Sequence, residues 1–395
     1  MRWSSSIAEG EDTDVVTRRL ASDLRGGLAG APAHLVLIFA TPEHTAQLSV
    51  VIEHLQRELP GARIVGCTGG SVHGAGRELE HTPAISALAG SLPDVGVVPF
   101  VVGQPLMDAV MRDPRAWHNH LDLIPEQQPL FLLFPDPYTQ DVDALIASLD
   151  SAYPGLPKLG GMASGGGSVG EHALVLDDTL HRTGTVGVAL YGDIAVDAVV
   201  AQGAHPVGPV LEVTAAEDNL ITELDGEPAA TALDSVFHDL STVDKARFRK
   251  TPTVGLAMPA SSNDGAGTFL VRNLIGIERK GGRIAINGPV QAGYRLQFHV
   301  RDPAAASEDL RQQLLRWKMV HRGADPSAAL MLSCLGRGST FFGTDDHDST
   351  VLADIAGAVP MAGFFCNGEL GPVHGRTWLH GYTASIGLMR PRGWS

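Results

Sequence analysis

The order of apolar and polar positions recurs three times along the chain. Each time, a short apolar run typical of a buried strand precedes a helix, and a second strand then leads through a glycine-rich loop to a returning strand. The apolar runs are 34–40, 130–134 and 328–334, and the returning strands are 84–88, 185–191 and 383–389. Three recurrences in the same order predict one supersecondary unit that is repeated.

The helix of each recurrence is marked by a single apolar stripe and ended by proline. The stripes lie within 48–59, 142–149 and 351–359, and Pro60, Pro154 and Pro360 follow them. A strand-helix-strand crossover joins parallel strands, and the strand after the loop adds an antiparallel one. We therefore expect an α/β fold with mixed sheets built from repeated strand, helix, strand, glycine-loop and strand units, in two halves.

A different pattern separates the second recurrence from the third. Residues 196–202, 211–214 and 219–224 predict strands of a meander, with Asp225-Gly226 as a hairpin turn. Helices are predicted at 11–28, 229–240 and 304–320. The predicted domains are an N-terminal helix at 1–30, an N-terminal domain at 31–228 and a C-terminal domain at 229–390.

Charge and composition narrow the function classes. The formal net charge of -15, without a Lys/Arg cluster, argues against nucleic acid as a partner, because phosphate binding needs a basic surface. No run of eighteen apolar residues predicts a membrane span, and the first residues lack the apolar run of a signal peptide, so we expect a cytoplasmic protein. Three cysteines, Cys67, Cys334 and Cys366, fit neither a disulfide framework nor a zinc ribbon.

The glycine loops predict neither a cofactor nor a metal. Gly165 to Gly170 satisfies GxGxxG, but a dinucleotide site needs a helix directly after it, and residues 171–176 predict a strand. Neither HExxH nor paired CxxC occurs, so no metal site is predicted around Glu369, His374 and His380.

Arg337, between two glycines at a strand end, is the strongest binding candidate. A guanidinium there can clamp a carboxylate with two parallel hydrogen bonds, or it can form an internal salt bridge. Glu369 in the third glycine loop is either the partner of that bridge or a receptor for an ammonium group.

The cysteines leave an enzymatic alternative open. A hydrolase or transferase of a small amide or ester would use Cys366, with His380 or His374 as base, since a thiolate beside histidine is activated. Cys366 lies in a glycine loop, so we expect it to be the more exposed thiol. No GxSxG elbow or cysteine-hydrolase signature accompanies it, so no catalytic residue is assigned.

The third recurrence resembles the C-terminal half of the FIST domain family. The resemblance is carried by Ser333 to Gly338, Val359 to Pro372 and Leu379 to Ser385. Val65 to Gly70, Gly160 to Gly166 and Gln202 to Gly208 are similar to the N-terminal signatures of that family. The resemblance covers nearly the whole chain.

This resemblance implies a bacterial sensory module for small ligands such as amino acids, with no established catalytic residues. The two halves fill the chain, so we expect a stand-alone sensor that acts through a separate signalling protein. The expected pocket lies where the glycine loops of the two halves face each other. Its predicted ligand-binding residues are Arg337, Gly338, Cys366, Asn367, Glu369, His380, Tyr382, Thr383, Cys67 and Thr68.

Overall fold

A computed structural model describes residues 1–258, 269–322 and 325–393. The described residues belong to two compact units. The larger unit takes in Met1–Ala201, Leu310–Leu379 and Thr383–Ser395, and the smaller takes in Gln202–Asp309 and His380–Tyr382. All three recurrences of the sequence pattern lie mainly in the larger unit. None of the helices among the described residues is both long enough and apolar enough to cross a membrane.

The first repeat, residues 35–91, follows one strand and one helix. Its elements and those before it are β1 (Arg2–Glu9), α1 (Thr13–Leu28), β2 (Leu35–Ala40), α2 (Leu48–Glu58), β3 (Arg63–Thr68), β4 (Val72–Gly74), β5 (Arg77–Leu79) and β6 (Ala84–Ser91). Asp12 caps α1 by accepting hydrogen bonds from the backbone N–H groups of Asp14 and Val15. The strand β1 was not predicted, because three consecutive serines hide the alternation that marks a strand.

The second repeat, residues 130–192, is preceded by a strand and two short helices. The elements are β7 (Val95–Val102), α3 (Gln104–Arg112), α4 (Ala116–Leu121), β8 (Leu130–Pro135), α5 (Val142–Ala152), β9 (Lys158–Gly161), β10 (Leu174–Leu176), β11 (Thr179–His181) and β12 (Thr185–Gly192). The strand after the GxGxxG stretch is β10, as predicted, so that stretch does not open a helix.

The smaller unit contains one seven-stranded sheet whose pairings are antiparallel. The elements from the end of the second repeat onward are β13 (Ala195–Gln202), β14 (Ala204–Glu217), β15 (Leu220–Leu224), β16 (Glu227–Pro228), α6 (Ala229–Asp239), α7 (Thr242–Lys250), β17 (Thr253–Ala257), β18 (Phe269–Glu278), β19 (Arg283–Ile286) and β20 (Arg295–Arg301). The predicted meander is wrong at its first strand, because β13 pairs with a strand of the third repeat and not with β14.

The third repeat, residues 328–390, follows the long helix α8 (Pro303–Val320). Its elements are β21 (Ala328–Cys334), α9 (Ser339–Phe342), α10 (His347–Ala356), β22 (Met361–Cys366), β23 (Glu369–Val373), β24 (Arg376–His380) and β25 (Thr383–Arg390).

The three repeats exchange hairpins in a cycle. Each repeat places a parallel pair beside its antiparallel returning strand: β2 and β3 with β6, β8 and β9 with β12, and β21 and β22 with β25. The hairpin β4–β5 of the first repeat then joins β22, β10–β11 of the second joins β3, and β23–β24 of the third joins β9. The predicted mixed sheets are confirmed, but the exchange was not predicted, because local periodicity does not say which sheet a hairpin joins.

One glycine in each repeat is required by the close approach of the parallel strands. A Cβ atom at each position would lie 1.7–1.9 Å from a carbonyl oxygen of the neighbouring strand: Gly66 against Ile38, Gly160 against Leu133, and Gly363 against Met331. These glycines are therefore equivalent positions, and they fix the register by which the repeats can be compared.

The inward faces of the three sheets share one apolar cluster. At its centre, the ring centroids of Phe39 and Phe364 are 5.0 Å apart, and those of Phe39 and Phe134 are 5.4 Å apart. Because each repeat contributes one of these rings, the core of the larger unit depends on all three repeats.

Candidate functional site

The glycine loops of the three repeats meet directly. The backbone N–H of Ser164 donates to the carbonyl of Thr68 at 3.1 Å, and that of Met162 donates to Gly368 at 2.9 Å. The N–H of Phe365 donates to the carbonyl of Ser71 at 2.9 Å. The loops are joined by backbone hydrogen bonds where the sequence predicted a pocket between them, so the candidate site lies beside this junction.

Arg337 pairs with an aspartate of its own repeat. It ends the 3-10 turn after β21, and its Nε and Nη2 donate to Oδ2 and Oδ1 of Asp348 at 2.9 and 3.0 Å. Both side chains are fully or almost fully buried. The internal salt bridge is therefore present, and the prediction of Glu369 as its partner is wrong, because Asp348 at the start of α10 takes both donors.

Further contacts hold the Asp348 carboxylate in place. Ser333 Oγ donates to it at 3.2 Å, and Nδ1 of His347 lies 2.9 Å from Oδ1. The ring of Phe342 stacks on His347 with centroids 3.5 Å apart. Burial alone would raise the pKa of Asp348, but the Arg337 charge and these hydrogen bonds outweigh it and lower the pKa. Asp348 is thus a buried anion.

The hairpin β4–β5 supplies two glutamates to the same region. Glu78 Oε1 accepts from the backbone N–H of Ser349 at 2.7 Å, at the start of α10, and Glu80 Oε1 accepts from Ser339 at 2.7 Å, at the start of α9. Burial first, and the charge of Asp348 second, raise the pKa of Glu78 to about 8. Neither glutamate could be predicted from the sequence, because both reach the site only through the hairpin exchange.

Glu369 lies buried at the start of β23, beside Cys334 and Arg337. Its Oε2 accepts from the backbone N–H of Thr383 at 3.2 Å, and the Cys334 thiol is close enough to hydrogen-bond to its carboxylate. Burial raises the pKa of Glu369 well above its ordinary value, although the nearby Arg337 charge works in the other direction. Glu369 Oε1 and Arg337 Nη1 are buried and have no hydrogen-bond partner among the described residues.

The cysteines are not exposed in the predicted order. Cys366 is fully buried, its Sγ lies 3.4 Å from the carbonyl oxygen of Phe364, and burial raises its pKa well above the ordinary value. Burial also raises the pKa of Cys67 well above the ordinary value. The expectation that Cys366 is the more exposed thiol is therefore wrong, since Cys334 is the partly exposed one.

Several other predicted residues make structural contacts. Thr68 Oγ1 accepts from the N–H of Ala173 at 3.1 Å. Asn367 is exposed, and its Nδ2 lies 3.4 Å from the carbonyl of Ala163. A Cβ at Gly338 would lie 1.8 Å from Glu80 Oε2, so this glycine is needed for the close approach of that carboxylate.

Two predicted residues, His380 and Tyr382, belong to the smaller unit. His380 is buried. The hydroxyl of Tyr382 contacts the side chain of Asn273, and Arg301 Cζ lies 4.4 Å from the centre of the tyrosine ring. His374, offered as an alternative base, lies exposed in the turn between β23 and β24. The fold thus brings together Arg337, Glu369, Thr383, Cys334 and Cys366. That His380 and Tyr382 close the site stays a prediction.

The second repeat carries a buried polar pair at the corresponding strand end. Asp136 and Cys334 each come three residues after the residue that faces the equivalent glycine. Asp136 Oδ2 lies 2.9 Å from Nδ1 of His172, whose Nε2 accepts from the N–H of Gly166 at 3.2 Å. Asp136 Oδ1 also accepts from Thr139 Oγ1 at 2.8 Å. Every polar atom of this pair has a partner. The pair could not be predicted from the sequence, because 36 residues separate its members.

The described residues contain no group of three or more His, Cys, Asp or Glu side chains that could hold a metal ion. Cavities are found elsewhere among the described residues. One of about 770 Å³ lies between α1 and α2, and one of about 360 Å³ lies between β1 and α10.

The family comparisons agree with the resemblance found in the sequence. A family model for the FIST N domain matches residues 34–227, and one for the FIST C domain matches residues 232–372. An uncharacterized protein of Mycobacterium tuberculosis is 33% identical over 392 residues, which cover 98% of this chain and 99% of the relative. An uncharacterized protein of Mycobacterium bovis is 32% identical and covers 98% of each chain.

Among solved structures, a cyanuric acid hydrolase from A. caulinodans aligns over 99% of both chains at 10% identity and a TM-score of 0.32. A likeness this low supports no conclusion about activity. The two domain matches and the full-length relatives do establish the family. The chain belongs to the FIST family, whose domains are associated with sensory signal transduction.

Proposed function

We propose that this protein is a sensory protein that binds a small carboxylate in the third repeat, between Arg337 and Glu369. The observation that carries the proposal is the pair of buried atoms, Arg337 Nη1 and Glu369 Oε1, that lack partners among the described residues. A buried polar atom without a hydrogen bond costs about 1–3 kcal/mol, so a ligand that pairs with both atoms gains that energy on binding.

The hydrogen-bond donors of the site fit an anion. Arg337 is a permanent cation, and burial raises the pKa of Glu369 well above its ordinary value, which favours the protonated carboxyl group, so both groups can donate to a carboxylate. A protonated Glu369 offers no negative charge to an ammonium group. The site therefore supports a small carboxylate better than the ammonium end of an amino acid.

Access would run past the 3-10 turn after β21. Leu335 in that turn is 43% exposed and Cys334 is partly exposed, whereas Arg337 and Glu369 are fully buried. The adjoining helix α9 has only four residues and ends at Gly343, whose φ is +76°. A short movement of this turn would admit a ligand without disturbing β21.

The neighbouring contacts suggest how binding would be reported. Arg337 holds Asp348 at the first turn of α10, and Glu78 holds Ser349 in the same turn. A carboxylate that binds Arg337 competes with Asp348 and weakens the attachment of this turn. A separate signalling protein that reads the position of α10 would then receive the signal.

Thermal unfolding tests the proposal. The midpoint would be measured with sodium acetate, pyruvate, malonate and succinate, and with sodium chloride at equal ionic strength. We expect at least one carboxylate to raise the midpoint in a saturable way, because ligand at a hundred times its dissociation constant adds about 2.7 kcal/mol. Glu369→Met should lose this shift, whereas His172→Leu, which changes the buried polar pair of the second repeat, should keep it. Equal midpoints in chloride and in every carboxylate would contradict the proposal.

The hydrolase alternative receives no support from the geometry. A nucleophilic cysteine needs a lowered pKa and access to substrate. Cys366 has neither, since burial raises its pKa and its side chain is fully enclosed.

A further inference from the structure

We infer that Cys334 and Cys366 form an oxidisable dithiol, in which a hydroperoxide converts the two thiols into one disulfide. This inference does not depend on the ligand proposal. It rests on the register of two neighbouring strands, on the different exposure of the two thiols, and on the charged groups beside Cys334.

The register places the two cysteines side by side. Cys334 is the direct partner of Cys366 in the parallel pairing of β21 with β22. Neighbouring strands lie about 4.7–4.9 Å apart, and a disulfide needs Cα atoms about 4.4–6.8 Å apart. Directly paired residues project from the same face of a sheet. Leu332 and Phe364, two residues before each cysteine, both belong to the central apolar cluster, so both thiols face this cluster.

The two thiols differ in solvent exposure, and this difference gives them different roles. Cys334 is partly exposed and follows a buried strand, while Cys366 is fully enclosed. A small peroxide would therefore react with Cys334 first. Cys366 would react only with the sulfenic acid already formed on Cys334 beside it. This order is the one expected of a reactive and a resolving cysteine.

The groups around Cys334 can move the proton that the reaction requires. The Glu369 carboxyl group lies within hydrogen-bond reach of the Cys334 thiol, and the Arg337 cation is close enough to interact with the same thiol. In its ionised form Glu369 can accept the thiol proton, and Arg337 stabilises the thiolate that results. Neither group assists the enclosed Cys67 in this way, since burial alone accounts for the raised pKa of that thiol.

The chemistry balances with the hydroperoxide as the oxidant. The Cys334 thiolate attacks the terminal peroxide oxygen, the O–O bond breaks, and an alcohol or water leaves with the proton, so that Cys334 becomes a sulfenic acid. The Cys366 sulfur then attacks the Cys334 sulfur. The S–S bond forms, the S–O bond breaks, and the hydroxide leaves as water with the Cys366 proton. The two thiols supply the two electrons that reduce the peroxide.

Thiol counting on the full-length protein tests the inference. The reduced protein would be treated with hydrogen peroxide, blocked, denatured and assayed. The three thiols of the wild type should fall to one. Cys67→Ser should fall from two thiols to none, whereas Cys334→Ser and Cys366→Ser should form no internal disulfide. Dithiothreitol should restore all thiols of the wild type.

Peptide mapping of the oxidised wild type gives a readout that does not depend on how the variants fold. A peptide containing Cys334 should be linked to one containing Cys366, with a mass lower by two hydrogens. In Cys366→Ala, dimedone should trap the sulfenic acid on Cys334. A linked peptide that contains Cys67, or oxidation of Cys334 to sulfinic acid without any cross-link, overturns the inference.

Discussion

The second and third repeats have the same strand frame but treat the polar residue at the end of the first strand differently. In the second repeat, Asp136 and His172 are buried, and all of their polar atoms have partners. In the third repeat, Cys334 lies beside Glu369 and Arg337, and one polar atom of each of these two has no partner among the described residues. A satisfied buried pair is fully explained by stability, whereas unsatisfied atoms need a further explanation. We therefore interpret the pair of the second repeat as structural and propose binding only for the third.

At the corresponding strand end, the first repeat resembles the second. The corresponding residue is Thr41, and its Oγ1 accepts from the backbone N–H of Ala84 at 3.0 Å. A hydroxyl at this position joins the first strand to the returning strand of the same repeat. Two of the three strand ends thus carry local structural contacts, and among the three only the third combines a permanent cation with a buried acid whose pKa is raised.

The largest effect is expected from breaking the buried pair of the third repeat. Asp348→Ala leaves the Arg337 charge buried without its partner, which should lower the free energy of unfolding by about 3–5 kcal/mol. Urea unfolding would measure it. The double variant Arg337→Met/Asp348→Leu should regain most of the loss. Glu53→Ala, which removes one partner of an exposed pair with Arg57, is the matched control and should cost about 1 kcal/mol or less.

Alanine at the equivalent glycines tests whether the second and third repeats share the same strand frame. In Gly160→Ala and Gly363→Ala, the new Cβ meets a backbone carbonyl that cannot move aside without shifting a strand. Each should lower the free energy of unfolding by about 3 kcal/mol, with similar values in the two repeats. Gly26→Ala in α1, where nothing lies within 4 Å, should instead be neutral or stabilise by up to about 1 kcal/mol. Unequal losses at Gly160 and Gly363 would show that the frames are not equivalent.

The contrast between the polar pairs is tested by two further variants. His172→Leu leaves a buried oxygen of Asp136 unpaired and should cost about 1–3 kcal/mol. Glu369→Gln should instead stabilise the protein at pH 7. Because the folded pKa of Glu369 is raised, its stabilising contribution is complete below the unfolded pKa and is lost as the pH rises. A glutamine does not ionise in the unfolded state, so this loss disappears, and at pH 4 the variant and wild type should be alike. Chemical unfolding at both pH values would measure the effect.

The smallest effect is expected in the pH dependence of the free energy of unfolding, and it comes from Glu78. Its pKa is raised from 4.5 to about 8, so the folded state keeps a proton that the unfolded state loses between these values. Stability should fall across this window, with a slope of up to about 1.4 kcal/mol per pH unit for one proton. Glu78→Gln should flatten the slope between pH 5 and 8. An unchanged slope in Glu78→Gln would contradict this prediction.

The repeated frame could be predicted from the sequence because its causes are local. Apolar runs, helical stripes, prolines and glycines act within a few residues, and they located the parallel pairs and the helices α1 and α8. The hairpin exchange has no local cause. Ser349 and its acceptor Glu78 are 271 residues apart, so nothing near Glu78 indicates its position at α10.

The candidate site could be predicted only in part for the same reason. The glycines on either side of Arg337 correctly marked it as unusual, but its partner Asp348 is in a helix that the sequence assigned to packing. The order of exposure predicted for the cysteines is wrong, because a glycine loop is not always accessible to solvent. In the fold, backbone hydrogen bonds from other repeats enclose that loop.

The most direct test of the assignment is a calorimetric titration. The carboxylate from the panel that gives the largest midpoint shift would be titrated into the wild type, Glu369→Met and His172→Leu. We predict one binding site in the wild type and in His172→Leu, and no measurable heat of binding in Glu369→Met. Equal affinities in all three proteins would place the ligand elsewhere and contradict the assignment of binding to the third repeat.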